Sequence, residues 1–265
     1  MRIPVAFGQY VPTASPIHTL DAKAKMGIVA AFTGSVFFLE GFMGLAVVSG
    51  LLAAAIHASR VPGRIALRGV RALGIVLGFT LLAHGLTFDS AAPVLVRLGP
   101  VGVDGTGLLQ GVFFSVRIVL LVVGTSLLTL TTTPVELTDG LERLMRPLER
   151  LGFPAGEVAM MLTIALRFIP TTAEEAEKIV IAQTARGARF DEGGPVRRAR
   201  AYVPVLVPLF VNLFKRADEL ATAMESRCYR GGVGRTRLVV ASMDVRDWLV
   251  LLASAGVLAS VAVAL

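Results

Sequence analysis

Residues 26–58 form one apolar run, interrupted only by Glu40 and His57, and this run decides what the chain can fold into. A bilayer core takes roughly 20 residues of helix at about 1.5 Å rise each. One straight helix over residues 26–58 would overshoot that core by more than half. The run therefore divides at Glu40-Gly41 into two short spans joined by a tight outer turn. Three more apolar stretches follow, at about 72–88, 107–130 and 248–265. Only 17% of the chain is charged, against about a quarter in a soluble domain. The sequence predicts an all-α, polytopic membrane protein with about five transmembrane helices.

Charge sets the expected orientation. Lys23 and Lys25 precede the first span, and Arg60, Arg64, Arg68 and Arg71 join the second to the third. Residues 131–246 hold 17 of the 26 Lys and Arg. The proposed outer loop, 89–106, has Arg97 against Asp89 and Asp104. An N-terminus in the cytoplasm puts every basic loop inside, as the positive-inside rule requires. The domain reading is thus a cytoplasmic segment 1–25, transmembrane helices 1–4 over 26–130, a helical cytoplasmic domain over 131–246, and a last transmembrane helix over 247–265. The expected location is the inner or plasma membrane, multi-pass. The net charge of +7 answers to anionic lipid heads and this topology rather than to nucleic acid.

Residues 131–246 are too polar to span, yet they read as helix. Thr131-Thr132-Thr133-Pro134 offers a capping hydroxyl and a proline at a first helical position. A short amphipathic helix follows to about Leu151 and closes at Gly152-Phe153-Pro154. A second helix begins near Ala155 and ends at Arg186, with Pro170 expected to bend or restart it. Residues 190–200 read as a basic connector. A third helix runs from about Val205 to Cys228, where Leu206, Leu209, Phe210, Leu213, Leu220 and Met224 repeat at three and four. The two long helices can pack on each other or lie along the membrane surface.

Those helices end alike, at Ala185-Arg186-Gly187 and Ser226-Arg227-Cys228. One reading is an arginine that complements the helix dipole beside an αL cap. The other is docking, since arginine's planar fork engages carboxylates of a partner in paired hydrogen bonds. Arg117 falls inside the fourth span, where a charge costs at least ~2.5 kcal/mol and must face protein or water. It serves either a structural contact within the bundle or coupling to another subunit. Ala46, Gly50 and Ala54, like Gly74 and Gly78, form small-residue ridges for close approach within the chain or by a partner. His18, His57 and His84 lack metal-ligand spacing, so no metal site is expected, and Cys228, the single cysteine, excludes an internal disulfide.

Several motifs together resemble a family. Gly8-Gln9-Tyr10-Val11-Pro12, Ser15-Pro16-Ile17-His18 and Leu20-Asp21 with Lys25 are similar to the start of the transmembrane T component of energy-coupling factor (ECF) transporters. So are Thr132-Thr133-Pro134, Ala165-Leu166-Arg167-Phe168-Ile169-Pro170, Ala182-Gln183 before Ala185-Arg186-Gly187, and Ala223-Met224-Glu225 before Arg227. The resemblance runs in order across nearly the whole chain.

It implies an energy-coupling subunit of an ABC-type importer. Two ABC ATPases and a small substrate-binding membrane (S) subunit would be its partners, with ATP and Mg bound by the ATPases and no cofactor by this chain. By motif match, Ala185, Arg186, Gly187, Ser226, Arg227 and Cys228 would be the ATPase-docking positions. The second motif keeps only the arginine of the family's Ala-Arg-Gly pattern. The chain has no Walker A loop and is not expected to be an enzyme. The N-terminal run favours a vitamin over a transition-metal ion as the micronutrient carried. The alternatives are a stand-alone secondary transporter, which calls for internal repeats or broken helices with polar groups at the midplane, another polytopic membrane scaffold, and an intramembrane enzyme, which calls for paired catalytic groups at membrane depth.

Overall fold

The structure, a computed structural model, describes residues 10–87, 94–98, 101–231 and 243–264. These residues form two compact units. Residues 10–140 with 243–264 make a membrane unit, and 141–231 make a helical unit.

In the membrane unit, α1 (Ala22–Phe38) begins at Asp21, whose carboxylate accepts the Lys23 N–H at 2.7 Å. It ends one residue before Leu39-Glu40-Gly41, and α2 (Phe42–Ser59) begins directly after. Three short helices come next: α3 (Gly63–Ala66), α4 (Arg68–Ala72) and α5 (Gly74–Gly85). The α3–α4 stretch and α5 meet at a 57° bend. Among the described residues three helices are long and apolar enough to cross a membrane: α2, α6 (Gly105–Thr131) and α11 (Val245–Ala264). The bent pair makes a fourth if it counts as one span, and α1 is one residue shorter than α2.

The third apolar stretch ends sooner than the sequence predicts. Helix α5 stops at Gly85, and Leu86–Thr87 is instead β1 of a small antiparallel sheet. The sheet continues through β2 (Val94–Leu98) and β3 (Val101–Asp104) in the order β1-β3-β2, with Leu86 opposite Val103 and Arg97 opposite Gly102. Strands β2 and β3 fall in the expected outer loop, and the chain remains overwhelmingly helical. Asp104 then caps α6, accepting the N–H groups of Thr106 (2.9 Å) and Gly107 (3.2 Å). The hydrogen bond from the Thr106 hydroxyl, foremost, and these backbone bonds hold its carboxyl below the usual carboxylate range.

The core lies where α1, α2, α6 and α11 meet: Phe32, Val36, Val48, Leu120, Val123 and Leu258 are all buried. Close approach depends on glycines of α6. A Cβ at Gly124 would strike the Phe32 ring, one at Gly107 the His84 carbonyl, and one at Gly111 Leu81 of α5 at 3.3 Å. The ridges singled out in sequence lie elsewhere. Added Cβ atoms at Gly50, Gly74 and Gly78 meet nothing within 4 Å, and Ala46 and Ala54 are exposed. Periodicity marks small residues but not which way their helix faces.

Arg117 donates to the carbonyl of Leu39, the C-cap of α1. Its guanidinium also lies over Phe113, 4.8 Å from the ring centroid. The charge inside α6 is thus spent on the open carbonyl at the α1–α2 turn.

Helix α7 (Pro134–Met145) starts as its sequence predicts. Thr133 and Glu136 form a capping box, with Thr133 N–H to Glu136 at 3.0 Å and Glu136 N–H to the Thr133 hydroxyl at 3.3 Å, and Pro134 is the first helical residue. A 3-10 turn, Arg146–Leu151, closes at Gly152 with φ 85°. The helical unit then consists of α8 (Ala155–Ala185), α9 (Pro195–Ala201) and α10 (Val203–Ser226). Helix α8 runs through Pro170 as one helix, so of the expected bend or restart the restart does not occur. The connector 190–200 contains α9, a short helix not anticipated from its Gly and Pro content.

Candidate functional site

The two arginine motifs adopt one backbone geometry. In α8, Ala185 is the last helical residue, Arg186 the C-cap, and Gly187 takes φ 90°. Gly187 N–H donates to the Thr184 carbonyl and Ala188 N–H to that of Gln183, both at 2.9 Å. In α10, Ser226 is last, Arg227 is the C-cap, and Cys228 takes φ 58°. Cys228 N–H donates to Glu225 (2.9 Å) and Tyr229 N–H to Met224 (3.0 Å). Each end is a full Schellman motif. The substitution of cysteine for glycine therefore leaves the cap intact, at a local cost of about 1 kcal/mol for a left-handed non-glycine residue.

All six motif residues are exposed. Among the described residues, neither the Arg186 nor the Arg227 side chain makes a hydrogen bond or ion pair. Each guanidinium projects from the negative end of its helix with its donors unused.

Helices α8 and α10 pack in opposite senses. Gln183, near the end of α8, donates to the carbonyl of Pro204 at the start of α10 (3.4 Å). Midway, Glu175 and Arg216 form an ion pair, each partner largely shielded. Farther along, Ile164 and Phe168 of α8 face Leu213, Ala217, Leu220 and Met224 across an apolar groove. The two arginine motifs thus lie at opposite ends of the pair. The Glu175–Arg216 bond was not anticipated from sequence, although a signal exists. Glu175 shares a helical face with Ile164 and Phe168, and Arg216 falls between Leu213 and Leu220, so both charges interrupt apolar stripes.

The apolar stripe of α10 divides. Its second half faces α8, whereas Leu206 and Phe210 in the first half, with Val207, Val211 and Phe214 beside them, are exposed.

The N-terminal motifs and the end of α6 meet at one end of the membrane unit. Lys25, 5% exposed, donates to the carbonyls of Thr131 (3.0 Å) and His18 (3.1 Å). His18 pairs with the Ser15 hydroxyl at 2.7 Å and the Val11 carbonyl at 3.1 Å. Val11 N–H donates to Leu130 at 3.0 Å, and the Thr13 hydroxyl to the Ser59 carbonyl at 3.2 Å. Asp247 of α11 accepts the Asp21 N–H (3.3 Å). The N-terminal run is a polar clasp that ties together the ends of α1, α2, α6 and α11. Gly8 and Gln9 lie outside the described residues. Among the described residues no group of three or more His, Cys, Asp or Glu is placed to hold a metal ion.

Comparison with known proteins identifies the family. The model of the CbiQ family, described as cobalt transport protein, matches residues 13–238. An energy-coupling factor transporter transmembrane protein EcfT of Thermosediminibacter oceani is 48% identical over 92% of this chain and 91% of its own length. The protein of the same name from Heliobacterium modesticaldum is 47% identical over 96% and 94%, and that from Bacillus subtilis 44% over 87% and 86%. The chain belongs to this CbiQ/EcfT family, the transmembrane energy-coupling components of ECF transporters.

Proposed function

We propose that this chain couples two ABC ATPases to a small substrate-binding membrane subunit for ATP-driven uptake of a micronutrient. One observation carries the reading: two exposed arginines, without hydrogen-bond or ion-pair partners among the described residues, cap antiparallel, ion-paired helices with the same backbone geometry. Arg186 and Arg227 each engage carboxylates of one ATPase in paired, charge-assisted hydrogen bonds. The small flanking positions Ala185, Gly187, Ser226 and Cys228 let the ATPase surface close around the guanidinium. ATP and Mg belong to the ATPases. Their approach on binding ATP moves the two arginines and changes the angle between α8 and α10 about Glu175–Arg216. The covalent connections at both ends of the helical unit pass that motion to the membrane unit.

The basic loops and residues 131–246 support a cytoplasmic N-terminus and a cytoplasmic helical unit in the cell membrane. The exposed apolar half of α10, and the open ridges at Ala46-Gly50-Ala54 and Gly74-Gly78, offer surfaces for the substrate-binding subunit. The N-terminal run supports a vitamin as the substrate, although the family description names cobalt. Purification in mild detergent tests the assembly. Two ATPases and a small membrane subunit that binds a vitamin are the expected companions. Uptake by the chain alone would indicate a secondary transporter, and a companion that binds cobalt or nickel would overturn the vitamin assignment.

A further inference from the structure

Arg64, Arg68 and Arg71 follow one another at spacings of four and three, which places them on one side of the α3–α4 stretch, and Arg60 is the left-handed C-cap of α2 just before it. All four are exposed. The opposite side is pinned down: Val61 and Ala66 are buried in a small core with Leu130 at the end of α6. Gly69 lies against Val122 and Ser126, where an added Cβ would come within 3.4 Å of Val122. Arg60 donates to the Ala14 carbonyl at 3.2 Å. Among the described residues the side chains of Arg64, Arg68 and Arg71 make no hydrogen bond or ion pair. No Asp or Glu occurs between Glu40 and Asp89 to neutralise them.

The same bent pair carries exposed apolar side chains next to the arginines: Leu67 (52%), Val76 (47%) and Ile75 (87%). Pro16, Ile56, Val61 and Pro62 line an open hollow beside Arg60 and His57. An acidic protein surface would satisfy the arginines but not the apolar flank. A phospholipid satisfies both, with phosphate against guanidinium and acyl chain against Ile75 and Val76. The 57° bend turns the arginine-bearing stretch away from the axis of α5, as expected of a segment that lies in the headgroup layer while α5 enters the bilayer.

We propose that residues 60–71 are a binding site for anionic phospholipid. The phosphodiester accepts paired hydrogen bonds from Arg64, Arg68 and Arg71, and the acyl chains lie along Leu67, Ile75 and Val76. The site draws only on the membrane unit and does not depend on the coupling role.

The test places the full chain in phosphatidylcholine nanodiscs with trace spin-labelled phosphatidylglycerol or phosphatidylcholine. The motionally restricted fraction gives the preference between the two lipids. The expected preference for phosphatidylglycerol is roughly fivefold, falling towards parity between about 50 mM and about 500 mM salt. The Arg64→Gln/Arg68→Gln/Arg71→Gln variant should lose at least half of it. The Arg→Lys triple should retain most of it, as should the equally uncharged control Arg197→Gln/Arg198→Gln/Arg200→Gln. The salt series on the unaltered chain remains decisive if the Gln triple does not fold. An unchanged preference in that triple, or one insensitive to salt, would overturn the proposal. So would loss of the preference in millimolar inorganic phosphate, which would indicate a free-phosphate site. A triple variant that keeps its lipid preference but sheds a co-purifying protein would reassign the arginines to a protein contact.

Discussion

Glu175 of α8 and Arg216 of α10 form an ion pair, and each lies 11 residues before the arginine that caps its own helix. At about 1.5 Å per residue, Arg186 and Arg227 are each displaced roughly 17 Å from the pair along their helices, in opposite directions. A fixed contact midway between two equal arms is the geometry a pair of levers needs. Among the described residues the second Glu175 oxygen is buried without a hydrogen-bond partner, so the carboxylate depends on Arg216. Removing Arg216 as Arg216→Met leaves that carboxylate uncompensated and should destabilise the helical unit by about 1–3 kcal/mol. The Glu175→Met/Arg216→Met double variant should recover most of the loss. Thermal unfolding in detergent measures both, and single and double variants that melt alike would show that the pair carries no coupling energy.

The two Schellman caps differ in the residue that takes positive φ, and their substitutions should have opposite signs. Gly187→Ala is expected to cost about 1 kcal/mol. Cys228→Gly should stabilise by roughly 0.5 kcal/mol, because relief of the left-handed cysteine outweighs the extra freedom of the unfolded chain. Melting midpoints of the two variants test this, and a destabilising Cys228→Gly would mean that the thiol makes a contact the cap geometry does not require.

Close approach at α6 predicts position-dependent tolerance of one substitution. Gly124→Val drives a side chain into Phe32 and should cost about 1–3 kcal/mol by overpacking. Gly78→Val, which meets open space, should leave the yield of monodisperse protein unchanged. Equal behaviour of the two would contradict the packing of α6 on α1.

The polar clasp rests on Lys25. Lys25→Met strips the carbonyls of Thr131 and His18 of their shared donor and should cost about 1–3 kcal/mol. Hydrogen exchange should rise at Val11, whose N–H holds the Leu130 carbonyl in the same clasp. Unchanged protection there would place the stability of this end elsewhere.

The helix ends that could be read from sequence are those with local punctuation. Thr133-Pro134, Gly152 and Gly187 each act through one turn of backbone, and the structure ends or begins helices there. The features that escaped depend on which neighbour a residue meets. Leu86 is as apolar in a strand as in a helix, so composition could not stop α5 at Gly85. Lys25 and Thr131 are separated by 106 residues, so their bond has no local sign. Gly107, Gly111 and Gly124 carry the close contacts while the more regular ridge at Gly74 and Gly78 does not, because spacing defines a helix face without defining what covers it. The similarity of the two arginine ends was visible in sequence. An αL cap was readable there too, but that Cys228 takes the left-handed position of Gly187 was not.

The central claim is that Arg186 and Arg227 are the attachment points of the ATPases, and it is tested most directly by reversing both charges. The Arg186→Glu/Arg227→Glu chain should still enter the membrane and purify, since neither side chain makes a hydrogen bond or ion pair among the described residues. Its yield of co-purifying ATPases should fall at least about tenfold, with loss of uptake, because each reversal turns a charge-assisted bond into repulsion. The Arg→Lys pair should lie in between, losing the paired geometry but keeping the charge. A doubly reversed chain that retained its ATPases and supported uptake would contradict the account.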